Sequence, residues 1–231
     1  MAIRKISLIP GEYYHIYNRG NSKQNIFLDQ EDYKRFTQCL FVCNTEKSFN
    51  FRDNIVRAGI EALDFDRGET PVSIGAWVLM PNHFHIYLTP SSDLGKNKGV
   101  KRNAVSEFMR KLSTSYASYF NAKYKRTGGL FEGGFKAKHV TKDGVAKYLF
   151  SYIHLNPIKL IDPAWKEQGV KDVKKAAGFL GEYRWSSYLD YKGLVRKENS
   201  IITKTDFPPY FQNEKGFNMV IKDWLLSKIN A

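Results

Sequence analysis

Four segments of the chain are rich in aromatic and β-branched residues and end at turn-forming residues, which is typical of β-strands. The first covers residues 11–21 and closes on an Asn-Arg-Gly-Asn turn. Residues 72–80 and 83–90 are separated by a single Pro-Asn turn, so they predict a β-hairpin. Residues 135–141 alternate between polar and apolar positions, as a half-buried strand does. The chain is therefore expected to contain a four-stranded sheet.

Three longer segments place apolar residues every three or four positions, which is the spacing of an amphipathic helix. The first begins at Asp29, because aspartate is a common helix N-cap. The second covers residues 101–121. The third covers residues 144–156, with Asp143 as its expected N-cap and Pro157 as its stop.

The order of these elements is strand, helix, strand, strand, helix, strand, helix. This order predicts an α+β fold in which a ferredoxin-like antiparallel sheet is packed with helices. Residues 1–160 would form this domain, with residues 48–72 as an insertion or a mobile connection and residues 91–99 as a loop. Residues 161–231 would be a mostly helical C-terminal extension with a last helix near residues 216–229.

Composition places the chain among proteins with a substantial core. Of its 231 residues, 42% are hydrophobic, and no apolar run approaches the roughly 18 residues of a membrane span. The N-terminus is too polar for a signal peptide, so we expect a cytoplasmic protein that does not contact membranes. Cys39 and Cys43 share one helical face and are expected to be reduced core residues.

The positive charge of the chain is concentrated in its central part. The net charge is +13, and residues 71–160 alone carry 14 Lys and Arg against 4 Asp and Glu. Such a local positive field suits a polyanion, because each neutralised phosphate releases condensed counterions. The alternative is a lysine-rich surface that serves solubility.

Two histidines stand one residue apart in the third predicted strand. On a strand, His83 and His85 point to one face, whereas Phe84, Ile86 and Leu88 point to the other and can supply the core contacts. Two adjacent imidazoles repel each other when protonated, but can hold a cation between them when neutral. A histidine pair without such a role is also common.

Two nitrogen ligands are not enough for a metal site. Both cysteines lie elsewhere in the sequence, so a closed structural zinc site is not expected. An open site completed by an oxygen ligand, water and a substrate phosphate suits Mg²⁺ or Mn²⁺. The third ligand must then come from another segment.

The segment YLFSYIHLNP, residues 148–157, offers such a ligand beside a tyrosine. At about 100° per residue, Asn156 lies one turn beyond Tyr152 and about 40° around the helix. Tyr148 lies one turn earlier on the same face and is the rival nucleophile, whereas His154 is expected to face outward. The apolar stripe that docks the helix would consist of Val145, Leu149 and Ile153. The alternatives are an interfacial tyrosine ring and a helix C-cap at the asparagine.

Taken together, four segments resemble the single-tyrosine HUH transposases, and in particular the REP-associated tyrosine transposases. The segments are YHIYNRGN, AWVLMPNHFHIYL, GGLFEGGFKAKHV and YLFSYIHLNP. The resemblance covers about residues 8–160 and includes the order and rough spacing of the segments, and YRWSSY further along is also similar. Relatives often have a basic residue where this chain has Gly134, so a phosphate or guide contact is either missing here or supplied by Lys136 or Lys138.

The resemblance implies a transposase that cleaves and rejoins single-stranded DNA, acting on hairpin or repeat DNA as a monomer or homodimer. His83 and His85 would bind Mg²⁺ or Mn²⁺, and Asn156 would complete the site. Tyr152 would be the nucleophile that forms a covalent 5′-phosphotyrosine. The alternative is a catalytically inactive DNA-binding regulator of the same fold. A two-histidine RNA phosphoesterase is less favoured, because the chain has one His-x-Thr motif, at residues 139–141, and that class needs two.

The basic and aromatic stretch from residue 101 to residue 138 is expected to bind a single DNA strand. Tyr119 or Tyr124 would stack on bases, whereas Tyr116 and Phe120 are expected in the core. The alternative is that the charges form a solvated face. The candidate phosphate-binding residues are Arg110, Lys123, Lys125, Arg126, Lys136 and Lys138, with Arg19 as a weaker candidate.

Overall fold

A computed structural model describes residues 6–91, 103–208 and 213–226 of the chain. Most of the predicted loop at residues 91–99 therefore lies outside the described residues. The first two positions of the second predicted helix and the last three of the C-terminal helix also lie outside them. Within the described part of the chain, every helix is too short or too polar to span a membrane.

The four predicted strands form one antiparallel sheet. They are β1 (Tyr13–Arg19), β2 (Val72–Met80), β3 (His83–Pro90) and β4 (Lys136–Val140). Their order across the sheet is β2-β3-β1-β4, and each neighbouring pair is antiparallel. The first and third strands lie at the centre, as in a ferredoxin-like βαββαβ unit. The predicted α+β class and sheet are confirmed.

Helices cover both faces of this sheet. They are α1 (Gln30–Val42), α2 (Ala104–Lys123), α3 (Asp143–Leu155), α4 (Trp165–Gln168), α5 (Val173–Glu182), α6 (Tyr188–Tyr191) and α7 (Glu214–Leu226). Helix α1 begins at Asp29, whose side chain accepts the Asp32 amide in a reciprocal capping box. The prediction that Asp143 caps α3 is wrong, because Lys142 is the N-cap. Asp143 lies in the first turn, where its negative charge interacts favourably with the positive end of the helix dipole.

The core on one face of the sheet is built by α1 and α2. Alternate residues of the two central strands, such as Ile16 and Phe84, pack there against helix residues such as Phe36 and Tyr116. Cys39 and Cys43 are free thiols in this core, and Tyr116 and Phe120 are buried in it as expected.

Residues 48–72 are packed onto this first core. A π-helical turn, Arg52–Arg57, and a 3₁₀ turn, Ala62–Asp64, lie within the segment. Ile55 and Ala62 are buried, and Phe49, Phe51, Leu63 and Phe65 contact the core cluster. The segment therefore docks on the domain through these side chains.

The opposite face of the sheet is covered by α3 and the C-terminal extension. Tyr87 of β3 joins Leu149 and Ile153 of α3 in a second core, which also includes residues of α5, α6 and α7. The predicted docking stripe is only partly right, because Val145 is 47% exposed.

The expectation that His154 faces outward is wrong, because the extension buries its ring completely. The Nδ1–H group of His154 donates to the Phe150 carbonyl at 2.8 Å, so its Nε2 accepts from the Ser187 hydroxyl, also at 2.8 Å. The Ser187 Oγ in turn accepts the Trp77 amide of β2 at 3.0 Å. One hydroxyl thus joins α3, the extension and the edge of the sheet.

Ser187→Ala should destabilise the fold by about 1–3 kcal/mol, because it leaves a buried imidazole nitrogen and a strand amide without a partner. Urea unfolding followed by circular dichroism measures this change. Ser118→Ala, at an exposed position of α2, is the matched control and should change the stability by less than about 0.5 kcal/mol. Equal stabilities of the two variants would contradict the role given to Ser187.

Candidate active site

The register of the sheet gathers ionisable side chains on the face that α3 covers. His85 of β3 lies opposite Tyr17 of β1, and His83 lies opposite Arg19. On the other side of β1, Lys136 pairs with Tyr17 and Lys138 pairs with His15. Because these positions alternate with core positions, they all point to the same side of the sheet.

Helix α3 brings Tyr152 to this cluster. The ring centroids of Tyr152 and His85 are 5.4 Å apart, and those of His83 and His85 are 5.1 Å apart. The Asn156 side chain interacts with both His83 and Tyr152. Asn156 also ends α3 as its C-cap, where a 3₁₀ turn, Asn156–Leu160, begins. The four residues singled out from the sequence are therefore neighbours in space.

Neighbouring side chains fix the orientation of both imidazoles. His83 Nδ1 lies 2.6 Å from Asn82 Oδ1, and because that oxygen only accepts, the ring carries its proton on Nδ1 and leaves Nε2 as an acceptor. His85 Nδ1 lies 2.8 Å from His15 Nε2. His85 Nε2 is buried and has no hydrogen-bond partner among the described residues. Metal-binding histidines are commonly oriented in this way through the other ring nitrogen.

Burial keeps the three imidazoles neutral. It lowers the pKa of His83 to about 4, with a further contribution from Lys159, while the Asn156 interaction opposes the shift. Burial and the nearby Lys138 lower the pKa of His15 to about 4. The pKa of His85 is held well below its usual value by burial and then by the adjacent His15 and His83 rings. Neutral imidazole is the form that binds a metal ion.

Tyr152 is a protonated phenol in this environment. Burial raises its pKa, and the neighbouring Tyr148 adds to the shift, while the Asn156 interaction opposes it. The Lys166 ammonium group of α4 lies 4.0 Å from the centre of the Tyr152 ring. A cation over an aromatic face is attracted to the ring and would also favour a phenolate.

The donor set fits an open metal site better than a closed one. Within the described residues, no cluster of three or more His, Cys, Asp or Glu side chains is arranged to hold a metal ion. The candidate donors are instead two imidazoles and the Asn156 amide oxygen. The unpartnered, buried Nε2 of His85 is the feature that a bound cation would satisfy.

A cavity of about 370 Å³ opens beside these residues and is strongly cationic. Four basic residues line it, and no carboxylate is present among the described lining residues; the four are Arg19, Lys23, Lys136 and Lys159. Arg19 Nη2 donates to Glu132 Oε1 at 3.0 Å, so part of its charge is neutralised. Single-stranded nucleic acid binds in grooves of this character.

The single basic DNA-binding surface expected from the sequence is divided between two faces. Arg110 and Lys123 lie on α2, on the side of the sheet away from the histidines, and line a different groove of about 1040 Å³. Arg110 pairs with Glu107 at 2.5 Å, and Lys123 pairs with Asp29 at 2.7 Å. These ion pairs reduce the charge that either residue offers to a phosphate.

The other residues predicted to bind DNA on α2 and directly after it also lie away from the histidine cavity. Lys125 and Arg126 follow α2 and are not among the residues that line the histidine cavity. Tyr119 and Tyr124 donate their hydroxyls to Asp32 at 3.0 and 2.8 Å, so the two proposed stacking rings belong to the α1–α2 side. Of the predicted DNA contacts, Arg19 and Lys136 line the cavity beside Tyr152.

Several residues of the cluster were missed in the sequence. His15 alternates with the core residues of the first strand, so the sequence indicated the face of the sheet to which it points. Its pairing with His85, however, depends on the strand register. Asn82 lies in the turn directly before His83, so the sequence could have indicated it as a neighbour of that imidazole. Lys159 and Lys166 come from segments after α3 whose path the hydrophobic pattern does not determine.

No family model matches the chain, and no curated protein matches it. A solved REP-associated tyrosine transposase bound to a REP hairpin is similar at 15% identity, covering 86% of this chain and 90% of that chain, with a TM-score of 0.49. A candidate transposase from Deinococcus radiodurans R1 is similar at 14% identity, covering 64% and 93%, with a TM-score of 0.34. A bacterial tRNA(His) guanylyltransferase-like protein in complex with GTP is similar at 12% identity, covering 71% and 77%, with a TM-score of 0.36.

His15 and His83 should remain neutral from pH 7.5 down to about 5. Because burial lowers the pKa of each ring to about 4, protonation should begin only as the pH falls toward that value. Long-range ¹H–¹⁵N spectra of the imidazoles, recorded without added metal, measure the protonation state directly. Titration of either ring near its ordinary value of about 6.5 would contradict this environment.

Proposed function

We propose that this chain is a metal-dependent single-stranded DNA endonuclease and strand transferase of the transposase type. It would act on hairpin or repeat DNA through a covalent 5′-phosphotyrosine at Tyr152. The observation that supports this function most is the 5.4 Å separation between the Tyr152 ring and a buried imidazole whose Nε2 has no partner among the described residues. A phenol, two oriented imidazoles and an amide beside a cationic cavity suit phosphoryl transfer.

The reaction transfers a phosphoryl group from one oxygen to another. The Tyr152 oxygen attacks phosphorus, the bond from phosphorus to the preceding 3′-oxygen breaks, and the phenolic proton is lost as the leaving 3′-oxygen gains one. The phosphodiester energy is retained in the tyrosine ester, so the 3′-hydroxyl of another strand can reverse the step. Strand transfer then needs no nucleotide cofactor.

His83, His85 and Asn156 would hold the divalent cation, Mg²⁺ or Mn²⁺. When bound, such an ion draws charge from a non-bridging phosphate oxygen and orients the phosphate. Asn82 and His15 contact the Nδ1 atoms of the two imidazoles, so the Nε2 atoms would be the ones that bind the ion. This outer layer keeps the ligands in place before substrate arrives.

Basic side chains around the cavity would bind the DNA backbone. Arg19, Lys136 and Lys159 line the cavity, and Lys138 lies on the same face of β4. Lys166, next to the Tyr152 ring, would favour the phenolate. Arg110 and Lys123 lie on the far face, so they would contact only DNA that is distant from the cleaved bond.

The second candidate function is a DNA-binding regulator that does not cleave. The burial of Tyr152 and its raised pKa favour this alternative, because a phenol that stays protonated is a poor nucleophile. Both functions require the cationic cavity, and formation of a covalent adduct distinguishes them.

Tyr152→Phe should abolish covalent adduct formation and leave DNA affinity nearly unchanged, because only the attacking oxygen is lost. The assay incubates the full-length protein with Mn²⁺ and a pool of random-sequence single-stranded and hairpin oligonucleotides. Mass spectrometry then identifies the adduct and the attached residue. Tyr148→Phe is the matched control and should keep the adduct. An adduct on Tyr148, or none with the unmodified protein, would refute the assignment.

His83→Ala should weaken Mn²⁺ binding at least about tenfold, because it removes one of the few protein ligands. Isothermal titration calorimetry with MnCl₂, without DNA, measures the affinity independently of cleavage. His139→Ala is the control, because this imidazole of β4 is hydrogen-bonded to Glu12 and is not among the residues that line the cavity. Unchanged Mn²⁺ affinity in the His83 variant would exclude its role as a ligand.

A further inference from the structure

Tyr148 presents an exposed aromatic ring beside Tyr152. Its side chain is 45% exposed, although it lies on a helix that buries most of its apolar residues. The Tyr148 and Tyr152 rings are nearly parallel, at 3°, with their centroids 6.2 Å apart. Because they leave α3 one turn apart, both point to the same side of the helix. The exposed ring therefore continues the surface of the candidate site.

Trp224 supports this ring from another part of the chain. It lies on α7, and its ring centroid is 5.3 Å from that of Tyr148, at an angle of 64°. Edge-to-face contacts of this kind hold aromatic rings in place. The C-terminal extension thus contacts the ring of Tyr148 through Trp224, and Tyr148 nevertheless stays 45% exposed.

The charges around the two tyrosines suit a nucleic acid strand. Lys166 lies over the Tyr152 ring, and Lys159 lines the cavity next to it. Lys147 is adjacent to Tyr148 in sequence, but its ion pair with Asp143 at 3.0 Å reduces the charge that it offers to a phosphate. Cations next to an exposed, braced aromatic ring are the combination with which proteins bind single strands, the cations taking the phosphates and the ring taking a base.

We propose that Tyr148, braced by Trp224, is a stacking platform for the unpaired base next to the phosphate that Tyr152 attacks. This inference rests on the proposed function and makes Tyr148 a positioning residue in place of a rival nucleophile. In a 5′-phosphotyrosine, the nucleotide that follows the cut is tethered to Tyr152, so its base is confined to this neighbourhood. A base within a duplex has both faces covered by its neighbours, so the platform selects a nucleotide that is unpaired and unstacked.

The experiment compares two probes, oligothymidylate and an abasic oligodeoxynucleotide of the same length, at low salt. Their affinities are measured by fluorescence anisotropy with full-length protein that carries Tyr152→Phe, so that no covalent step contributes. The tested changes in this background are Tyr148→Ala, Tyr148→Phe and Trp224→Ala. Tyr124→Ala, an aromatic on the opposite side of the sheet, is the matched control.

Tyr148→Ala should weaken oligothymidylate binding about 5- to 100-fold, the range found when a stacking ring is removed. The affinity of the Tyr148→Ala protein for the abasic strand should not change, because that probe has no base to stack. Tyr148→Phe keeps the ring and should retain both affinities, whereas Trp224→Ala should reproduce part of the loss. Tyr124→Ala should leave the ratio of the two affinities unchanged.

An equal loss for both probes, or no loss for oligothymidylate, would overturn the platform. Failure of the Tyr152→Phe protein to bind either probe would overturn it as well. The proposed function is tested separately, by the covalent adduct of the unmodified protein. If that adduct is absent and the affinity ratio still depends on Tyr148, the cleavage chemistry fails and stacking at Tyr148 is supported.

Discussion

The packing of α3 across the histidine-bearing face of the sheet is the contact on which the candidate site depends. Leu149 and Ile153 bury one side of this helix against the second core, and that docking brings Tyr152 within 5.4 Å of His85, measured between ring centroids. The buried His154–Ser187–Trp77 network holds the same helix to the edge of the sheet. A shift of α3 by one residue would rotate the phenol by about 100° and separate it from the imidazoles.

The environment of the site sets two opposing demands. Burial keeps His15, His83 and His85 neutral, which favours a bound cation, but it also keeps the phenol of Tyr152 protonated. The surrounding cations partly offset the effect of burial on Tyr152, since a positive field favours both the phenolate and an incoming phosphate. Under the proposed function, the same residues would therefore favour the attacking phenolate and attract the DNA.

The C-terminal extension is part of this arrangement. It supplies Lys166, which lies over the Tyr152 ring, and Trp224, which contacts the Tyr148 ring. Its residue Ser187 forms a hydrogen bond with the buried His154. Together with α3, it covers one face of the sheet, so that helices pack on both faces. The proposed site is thus shaped by residues from both ends of the chain.

The sequence by itself determined the strands, the main helices and the side of each strand to which the histidines point. These features follow from local periodicity, because side chains alternate along a strand and recur every 3.6 residues in a helix. Only the tertiary structure decided that His15 pairs with His85, that His154 is buried and that Arg110 lies on the opposite face from Lys136. Periodicity gives directions within one element, whereas burial and pairing depend on which other element covers each face, and the packing of distant segments decides that.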